Sequence, residues 1–377
     1  MKKIIVLGAG MVGGIIAKDL ADDEGFEVSI ADINEQALNK IANDAGVRTI
    51  IADLSNPAYV EQLVAGYDMV CGALPSRFGL SALEAVINAG RPYCDISFIP
   101  EDMFSLDMMA RDIGVTVVVD CGVAPGMSNM LVGYAESQLD ETIDVKIYVG
   151  GVPREPKPPW LYKAAFSPSD VIEEYTRISD IVRNGKILLV EALTETEMIE
   201  FPEIGKLEAF ITDGLRSLVT NIDCPNMVEK TLRYPGHIDL IRIFKDAGFF
   251  SKEEIDLKSA RFRPLDLTEK LIFPYWSYDD GEEDLTVMRI IVEGIKDGKS
   301  RKYTWDLLDY YDQQTKWTSM SRTTAFPCAI VARMIANGEY VNPGVNPPEY
   351  LGKVDGICET VLKELEKRRI VYKSTIE

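Results

Sequence analysis

His237 is the only histidine in the sequence, and no other side chain titrates near neutrality without perturbation. It follows Leu232-Arg233-Tyr234-Pro235-Gly236 and precedes an expected helix start, where the backbone would hold it as a proton acceptor. A second candidate base, Lys163, lies just past the proline-rich run Pro153-Arg-Glu-Pro-Lys-Pro-Pro159. Arg216, in Asp213-Gly-Leu-Arg216, and Arg233 each present a planar fork that matches a carboxylate. The same arginines would serve equally in a surface or interdomain ion pair. Asp120-Cys-Gly-Val-Ala-Pro-Gly-Met127-Ser128 follows an expected strand, and that position makes Asp120 and Met127 candidates for the wall of an active site. The alternative is a hinge between domains, which would need the same glycines and proline.

A phosphate-binding pattern opens the chain. Lys3-Ile-Ile-Val-Leu-Gly8-Ala-Gly10-Met11-Val12-Gly13 reads as a buried strand feeding G-x-G-x-x-G and a helix, and the next apolar run ends on Asp32, 19 residues after Gly13. Gly8 permits the tight turn, Gly10 the approach of a pyrophosphate, and Gly13 the close packing of helix on strand. The helix N-terminus, with Met11 and Val12 in the turn before it, offers amide groups and a positive dipole end to phosphate. Asp32 is placed to accept from a ribose 2′-hydroxyl. It would repel a 2′-phosphate, and Ile33-Asn34 brings no arginine to attract one, which favours NAD over NADP.

Composition removes other classes. Forty Lys and Arg against 60 Asp and Glu give a net charge of −20, the wrong sign for a nucleic-acid or anionic-membrane surface. Six cysteines without a C-x-x-C pair, beside a single histidine, give no basis for a Cys/His metal site. The thiols are expected free in a reducing cytosol. Lys2-Lys3 and the apolar run after them imitate a signal peptide, but three glycines and Lys18-Asp19 break that pattern. No stretch approaches the length of a membrane span. The expectation is a cytoplasmic protein without a nucleic-acid, membrane or metal partner.

The length, 377 residues, suits two domains. Over the first 120 residues, expected strands at 3–7, 27–31, 48–52, 69–73, 92–96 and 115–119 alternate with helical patterns at 36–43, 58–65, 80–89 and 103–112. Right-handed crossovers then give an α/β Rossmann domain, a doubly wound parallel sheet that binds ligands beyond the carboxyl ends of its strands. Residues 8–13, Asp32, Asp53, Ala73-Leu74-Pro75 and 120–125 lie there. Between 126 and 320 the pattern changes. Helix 128–139, strand 145–149, a helix opened by Ser167-Pro-Ser-Asp170, and hairpins turning at Asn184-Gly185 and Asp297-Gly298 predict an α+β domain with a mixed sheet, for substrate binding and oligomerisation. Helices at 321–336 and 354–366 are expected to pack back on the domain formed by residues 1–125, with the last few residues a loose tail.

A set of short motifs resembles the saccharopine-dehydrogenase-like oxidoreductases over almost the whole chain. They are Gly8-Ala-Gly10, Gly72-Ala-Leu-Pro75, Asp95-Ile-Ser-Phe98, Ala124-Pro-Gly-Met-Ser-Asn129, Tyr148-Val-Gly-Gly151, Pro156-Lys-Pro-Pro159, Ile172-Glu-Glu-Tyr-Thr-Arg177, Asp213-Gly-Leu-Arg-Ser217, Pro235-Gly-His237 and Ser319-Met-Ser-Arg322. The glycine motif is shared by many enzyme types. The middle-domain motifs are more specific, and they are most similar to the lysine 6-dehydrogenase branch.

That resemblance implies an NAD-linked, cytoplasmic homo-oligomer, dimer or tetramer, acting on the C–N bond of a small amino-acid substrate. In this branch L-lysine is oxidised at its ε-carbon, giving ammonia, NADH and a 6-semialdehyde that cyclises to piperideine-6-carboxylate. Hydride leaves carbon only when the amine nitrogen offers a lone pair, so the ε-ammonium must first lose a proton. Neutral His237, or Lys163, would take it. Arg216 or Arg233 would grip the carboxylate, and Asp120 or Asp213 the distant ammonium. The alternative within the family is a saccharopine-type enzyme that forms or splits a secondary amine between lysine and a 2-oxo acid. A nucleotide-sensing regulator would share the opening strand but has no use for the second domain or the Pro-Gly-Met segment.

Overall fold

The structure, a computed structural model, describes residues 1–42, 46–166, 168–258, 260–279 and 281–377. Asn43, where the first expected helical stretch ends, and Ser167, which opens the expected helix start of the middle segment, lie outside the described residues. The chain divides into two compact units, residues 1–137 with 321–370 and residues 138–320 with 371–377.

The first unit is built on a parallel sheet. β1 (Lys2–Leu7), β2 (Phe26–Asp32), β3 (Val47–Ile51), β4 (Met69–Gly72), β5 (Tyr93–Asp95) and β6 (Thr116–Val118) each agree with an expected stretch to within a residue at either end. A seventh strand, Gly344–Asn346, pairs in parallel with β6; three residues among loops give no period to read. The order across the sheet is Gly344–Asn346, β6, β5, β4, β1, β2, β3. Ile4, Ile5, Val6 and Leu7 are all fully buried, the continuous apolar run of a strand covered on both faces. Chain order reverses at β1, with β2 on one side and β4 on the other, so the crevice for a ligand opens between β1 and β4.

Helices α1 (Gly13–Ala21), α2 (Glu35–Ala42), α3 (Pro57–Val64), α4 (Ser76–Asn88) and α5 (Asp107–Ile113) fill the crossovers. α6 (Met127–Gln138) also belongs to this unit, where the sequence grouped it with the middle segment. Met127, Met130, Leu131, Val132 and Ala135 are buried together with Ser128, Asn129 and Gly133, so this helix is enclosed on most sides rather than amphipathic. Helices Ser319–Asn337 and Ile357–Lys367 hold to α1 through Asp19. Its carboxylate accepts from Arg368 at 2.6 and 2.9 Å and from Arg333 at 3.2 Å.

The second unit carries a mixed sheet. Its strands are β7 (Glu141–Pro153), β8 (Ile178–Arg183), β9 (Lys186–Glu191), β10 (Glu197–Phe201), β11 (Gly205–Ile211) and β12 (Asn226–Arg233). A separate small hairpin, β13 (Ile255–Leu257) and β14 (Ala260–Phe262), precedes β15 (Asp284–Lys296) and β16 (Lys299–Tyr310). The order is β10, β11, β12, β7, β15, β16 and then Tyr372–Ile376, with β8 joined to β12 and β9 to β8. β12 and β7 run parallel, and β7, β15 and β16 antiparallel. Both hairpins turn where the sequence places them. Asn184 and Gly185 sit at φ +49° and +71°, Asp297 and Gly298 at +51° and +71°, as two-residue turns matching strand twist require. The expected loose tail is instead the strand Tyr372–Ile376, laid antiparallel on β16 from Leu307 to Tyr303. Helices α7 (Pro168–Thr176), α8 (Leu218–Asn221), α9 (His237–Asp246) and α10 (Pro264–Trp276) complete the unit. No helix among the described residues is long and apolar enough to cross a membrane.

Candidate active site

The glycine loop of the first unit has the shape of a nucleotide cradle. Gly8 sits at φ +103°, and a Cβ there would strike the carbonyl of Ala73. A Cβ on Gly13 would overlap the carbonyl oxygen of Gly8, so only glycine lets α1 start this close to β1. Nothing lies within 4 Å of the place a Cβ on Gly10 would take, and Gly10 and Met11 are exposed, with Val12 half-buried. The Gly8 amide donates to Ala31 at 2.8 Å and the Ala73 amide to Leu7 at 2.9 Å. This sets residues 8–13 and Ala73-Leu74-Pro75 side by side where the strand order reverses. Bare backbone, open space and a helix N-terminus together fit a dinucleotide pyrophosphate.

Asp32 has a structural task as well as the expected one. Its carboxylate accepts from the Ala9 amide at 2.6 Å and from the Asn34 amide at 2.7 Å, fixing the glycine loop to the end of β2. Asp53 lies two strands away from the crevice, past β3. Hydrogen bonds from the Ser55 hydroxyl and amide hold its carboxyl below the usual range, so it shapes its own turn.

At the end of β6, Asp120 is buried at φ +52°, and Met127 is fully buried at the start of α6. Asp95, which the sequence reading passed over, ends β5 in the same layer. It accepts from the Tyr93 hydroxyl at 3.0 Å and from the Ser97 amide and hydroxyl at 3.0 and 2.9 Å. Burial pushes its carboxyl well up against those hydrogen bonds, and the neighbouring Asp120 adds to the rise. Two buried acids thus meet at the carboxyl edge of the sheet, one of them favouring its protonated form.

In the second unit Arg233 and His237 join one polar network through Tyr175. Arg233, at the end of β12, is buried. It donates to Glu174 at 2.8 Å, to the Tyr175 hydroxyl at 3.2 Å and to the Leu232 carbonyl at 3.0 Å, and lies 4.4 Å over the Tyr162 ring. Its fork is occupied by the fold itself, in contrast with the expected carboxylate grip. His237 opens α9 and is fully buried, with Nε2 2.9 Å from the Tyr175 hydroxyl and Nδ1 2.7 Å from the Trp160 carbonyl. A carbonyl only accepts, so Nδ1 carries the proton and Nε2 accepts from Tyr175. Burial, with the Arg233 charge added, pushes the imidazole down to about 3. Both ring nitrogens are thus taken up by the fold, in contrast with the expected role as a base.

Lys163 is ion-paired with Glu282 and with Asp279 at 3.5 Å. Partial burial opposes ionisation of Glu282, but Lys157 and Lys163 outweigh it and hold the carboxyl at about 2. Lys163 therefore ties two loops of the unit together. Arg216 stands at φ +52° with its side chain mostly buried, 3.5 Å from Asp213, which lies 3.9 Å from Arg177.

One strong candidate escaped the sequence reading. Glu229, buried in the middle of β12, accepts from the Thr212 hydroxyl at 2.6 Å and the Gly214 amide at 3.1 Å. Burial pushes its carboxyl up to about 8 against the Thr212 hydrogen bond, with Glu174 and Asp213 adding to the rise. The signal available was the pair Glu229-Lys230 between Met227-Val228 and Leu232 in a strand of mixed polarity.

With this geometry in hand, comparison with known proteins is direct. A family model described as saccharopine dehydrogenase NADP binding domain matches residues 4–118, and one described as saccharopine dehydrogenase C-terminal domain matches residues 122–371. The chain is 23% identical to saccharopine dehydrogenase (NADP(+), L-glutamate-forming) of Schizosaccharomyces pombe, with 97% of each chain covered. It is 22% identical to carboxyaminopropylagmatine dehydrogenase of Synechocystis, over 94% of this chain and 95% of that one. Its fold is that of saccharopine dehydrogenase (L-Glu forming) from Saccharomyces cerevisiae, at a TM-score of 0.81 and 19% identity over 100% of both chains. With a nicotinamide-nucleotide-binding Rossmann unit followed by the matching C-terminal part, the chain belongs to the saccharopine dehydrogenase family.

Proposed function

We propose that this chain is a nicotinamide-nucleotide-dependent oxidoreductase that forms or splits a lysine-related secondary amine at its C–N bond. The observation that carries the reading is the match of both family parts across nearly the full length, on a first unit whose glycine cradle fits the nucleotide. When bound, the nicotinamide supplies the hydride acceptor. The chain's own part is to hold the amine with its lone pair free and to accept the proton it loses. Asp120 is our choice for that acceptor, because it stands at the carboxyl edge of the sheet, where ligands of this architecture lie. Arg216 is our choice for the substrate carboxylate and Asp213 for its cationic nitrogen, since both are only half-buried, whereas Arg233 is fully enclosed between Glu174 and two tyrosines.

Direct oxidation of free L-lysine at the ε-carbon, with release of ammonia, is the second reading. One observation favours it. The buried arginines of the second unit face acids already, Arg233 facing Glu174, and Arg177 and Arg216 facing Asp213, which suits one substrate carboxylate better than the three of saccharopine. We further infer NAD as the preferred cofactor, supported by the carboxylate of Asp32 at the end of β2, and a homo-oligomer in the cytoplasm, supported by the resemblance of the middle-domain motifs.

The test is to follow reduced nicotinamide in parallel with saccharopine and with L-lysine, each against NAD and NADP. Turnover of saccharopine alone supports the first reading. Lysine-dependent turnover with ammonia release replaces it by the second, and silence with both removes the substrate assignment.

A further inference from the structure

Glu229 does more than fill a place in β12. Its carboxylate receives both the side chain of Thr212 and the main chain of Gly214, the two ends of the turn that leads to Arg216. The Thr212 hydroxyl also meets that of Thr231 at 2.7 Å, so the turn is fastened to β12 at two points. A Cβ on Gly214 would overlap the Glu229 carboxyl group, so the glycine and the acid require each other. Just past this fastening the backbone enters the left-handed region at Arg216, φ +52°, a conformation a long side chain adopts only when its surroundings impose it.

We propose that Glu229 is a positioning residue, fixing the turn from Thr212 to Arg216 and with it the placement of the Asp213 and Arg216 side chains. The proposal rests on the reading that this turn grips the substrate. Glu229 itself is shut away and touches no substrate in this scheme. Both hydrogen bonds end on Oε2; ionised, the carboxylate accepts them as charge-assisted bonds, and protonation weakens the acceptor and loosens the fastening. The charged groups that act on it are Glu174 of α7 and Asp213 of the turn itself, both acids, and its hydrogen-bonded neighbours are Thr212 and Gly214. Burial and the two acids push the change up, and the Thr212 and Gly214 hydrogen bonds oppose them, so the fastening strengthens on the alkaline side, the direction in which an amine substrate also begins to lose its proton.

The full chain, Glu229→Gln and Glu229→Ala are compared with cofactor and amine from pH 6.5 to 9.5. In the wild type the KM for the amine should fall at least about threefold through a step near pH 8, the position of the Glu229 carboxyl. Glu229→Gln, which keeps an acceptor but no charge, should lose that step. Glu229→Ala should raise the amine KM by about tenfold or more while the cofactor KM stays within about twofold. A Gln variant that keeps the step, or an Ala variant with an unaltered amine KM, overturns the proposal. Amide exchange over residues 212–217 gives a reading independent of turnover. About tenfold faster exchange in the Ala variant, with Gln near wild type, supports the fastening even if neither amine proves to be a substrate. Equal exchange in all three proteins overturns it.

Discussion

On the proposal that NAD is preferred, cofactor choice should turn on Asp32, and the size of the expected effect follows from where that residue sits. The carboxylate closes β2 and is held by the Ala9 and Asn34 amides at 2.6 and 2.7 Å, so it cannot swing away from an arriving ribose. A 2′-phosphate carries a charge of about −1.5 to −2. Placed about 5 Å from Asp32 at an effective dielectric constant of about 20, each unit of charge is repelled by about 3 kcal/mol. Solvent and salt reduce that at a half-exposed site, and a net penalty of about 2–3 kcal/mol corresponds to roughly 30- to 150-fold in affinity. Asp32→Asn removes the charge and keeps one acceptor for the backbone. It should bring the NADPH and NADH dissociation constants to within about fivefold of each other, with NADH weakened about tenfold by loss of the charged acceptor. Fluorescence titration of each reduced nucleotide measures this without any substrate. Wild-type protein that binds NADPH more tightly than NADH, or an Asn variant with an unchanged ratio, refutes the reasoning.

Three further outcomes follow from the geometry. Gly13→Ala should abolish nucleotide binding in the same titration, because its methyl group would overlap the Gly8 carbonyl; retained binding would mean that α1 can retreat. Asp19→Ala takes the shared carboxylate from Arg333 and Arg368, leaving them Asp23 and Glu364, and should destabilise the first unit by about 1–2 kcal/mol in urea unfolding. For pH, His237 falls from 6.5 unfolded to about 3 folded. Below pH 6.5 the unfolded chain binds a proton that the folded chain refuses, so stability is lost progressively as pH drops from 6.5 towards 3, on the order of a few kcal/mol in all. In His237→Gln the share of that acid loss due to this residue should disappear, and an unchanged slope between pH 6 and 4 would count against it.

The sequence was most legible where a pattern is long or its geometry admits one residue type. Six parallel strands show as short apolar-rich runs at regular spacing, and Gly8 and Gly13 announce a turn in which a Cβ would collide with backbone. The two hairpins are legible for the same reason, since Asn-Gly and Asp-Gly accept positive φ cheaply. The strand Gly344–Asn346 was hidden because three residues have no period. The strand Tyr372–Ile376 was hidden because its partner, β16, lies about sixty residues upstream, where no local signal points. Among the site residues, His237 and Arg233 were chosen for what their side chains do in water. In the fold both are enclosed, with Tyr175 and Trp160 engaging the imidazole and Glu174 the guanidinium. Glu229 and Asp95 were missed for the matching reason, because ordinary acids become unusual only through neighbours distant in the sequence.

Residues from the last part of the chain complete both sheets: Gly344–Asn346 covers the β6 edge of one and Tyr372–Ile376 the β16 edge of the other. On the ribosome, where the N-terminal part emerges first, neither sheet is finished while most of the chain is already outside the exit tunnel. Until then β6 and β16 are bare edges able to pair with a neighbouring nascent chain. A chain stopped before Gly344 therefore exposes two sticky edges at once, and one stopped between Asn346 and Tyr372 exposes the β16 edge alone.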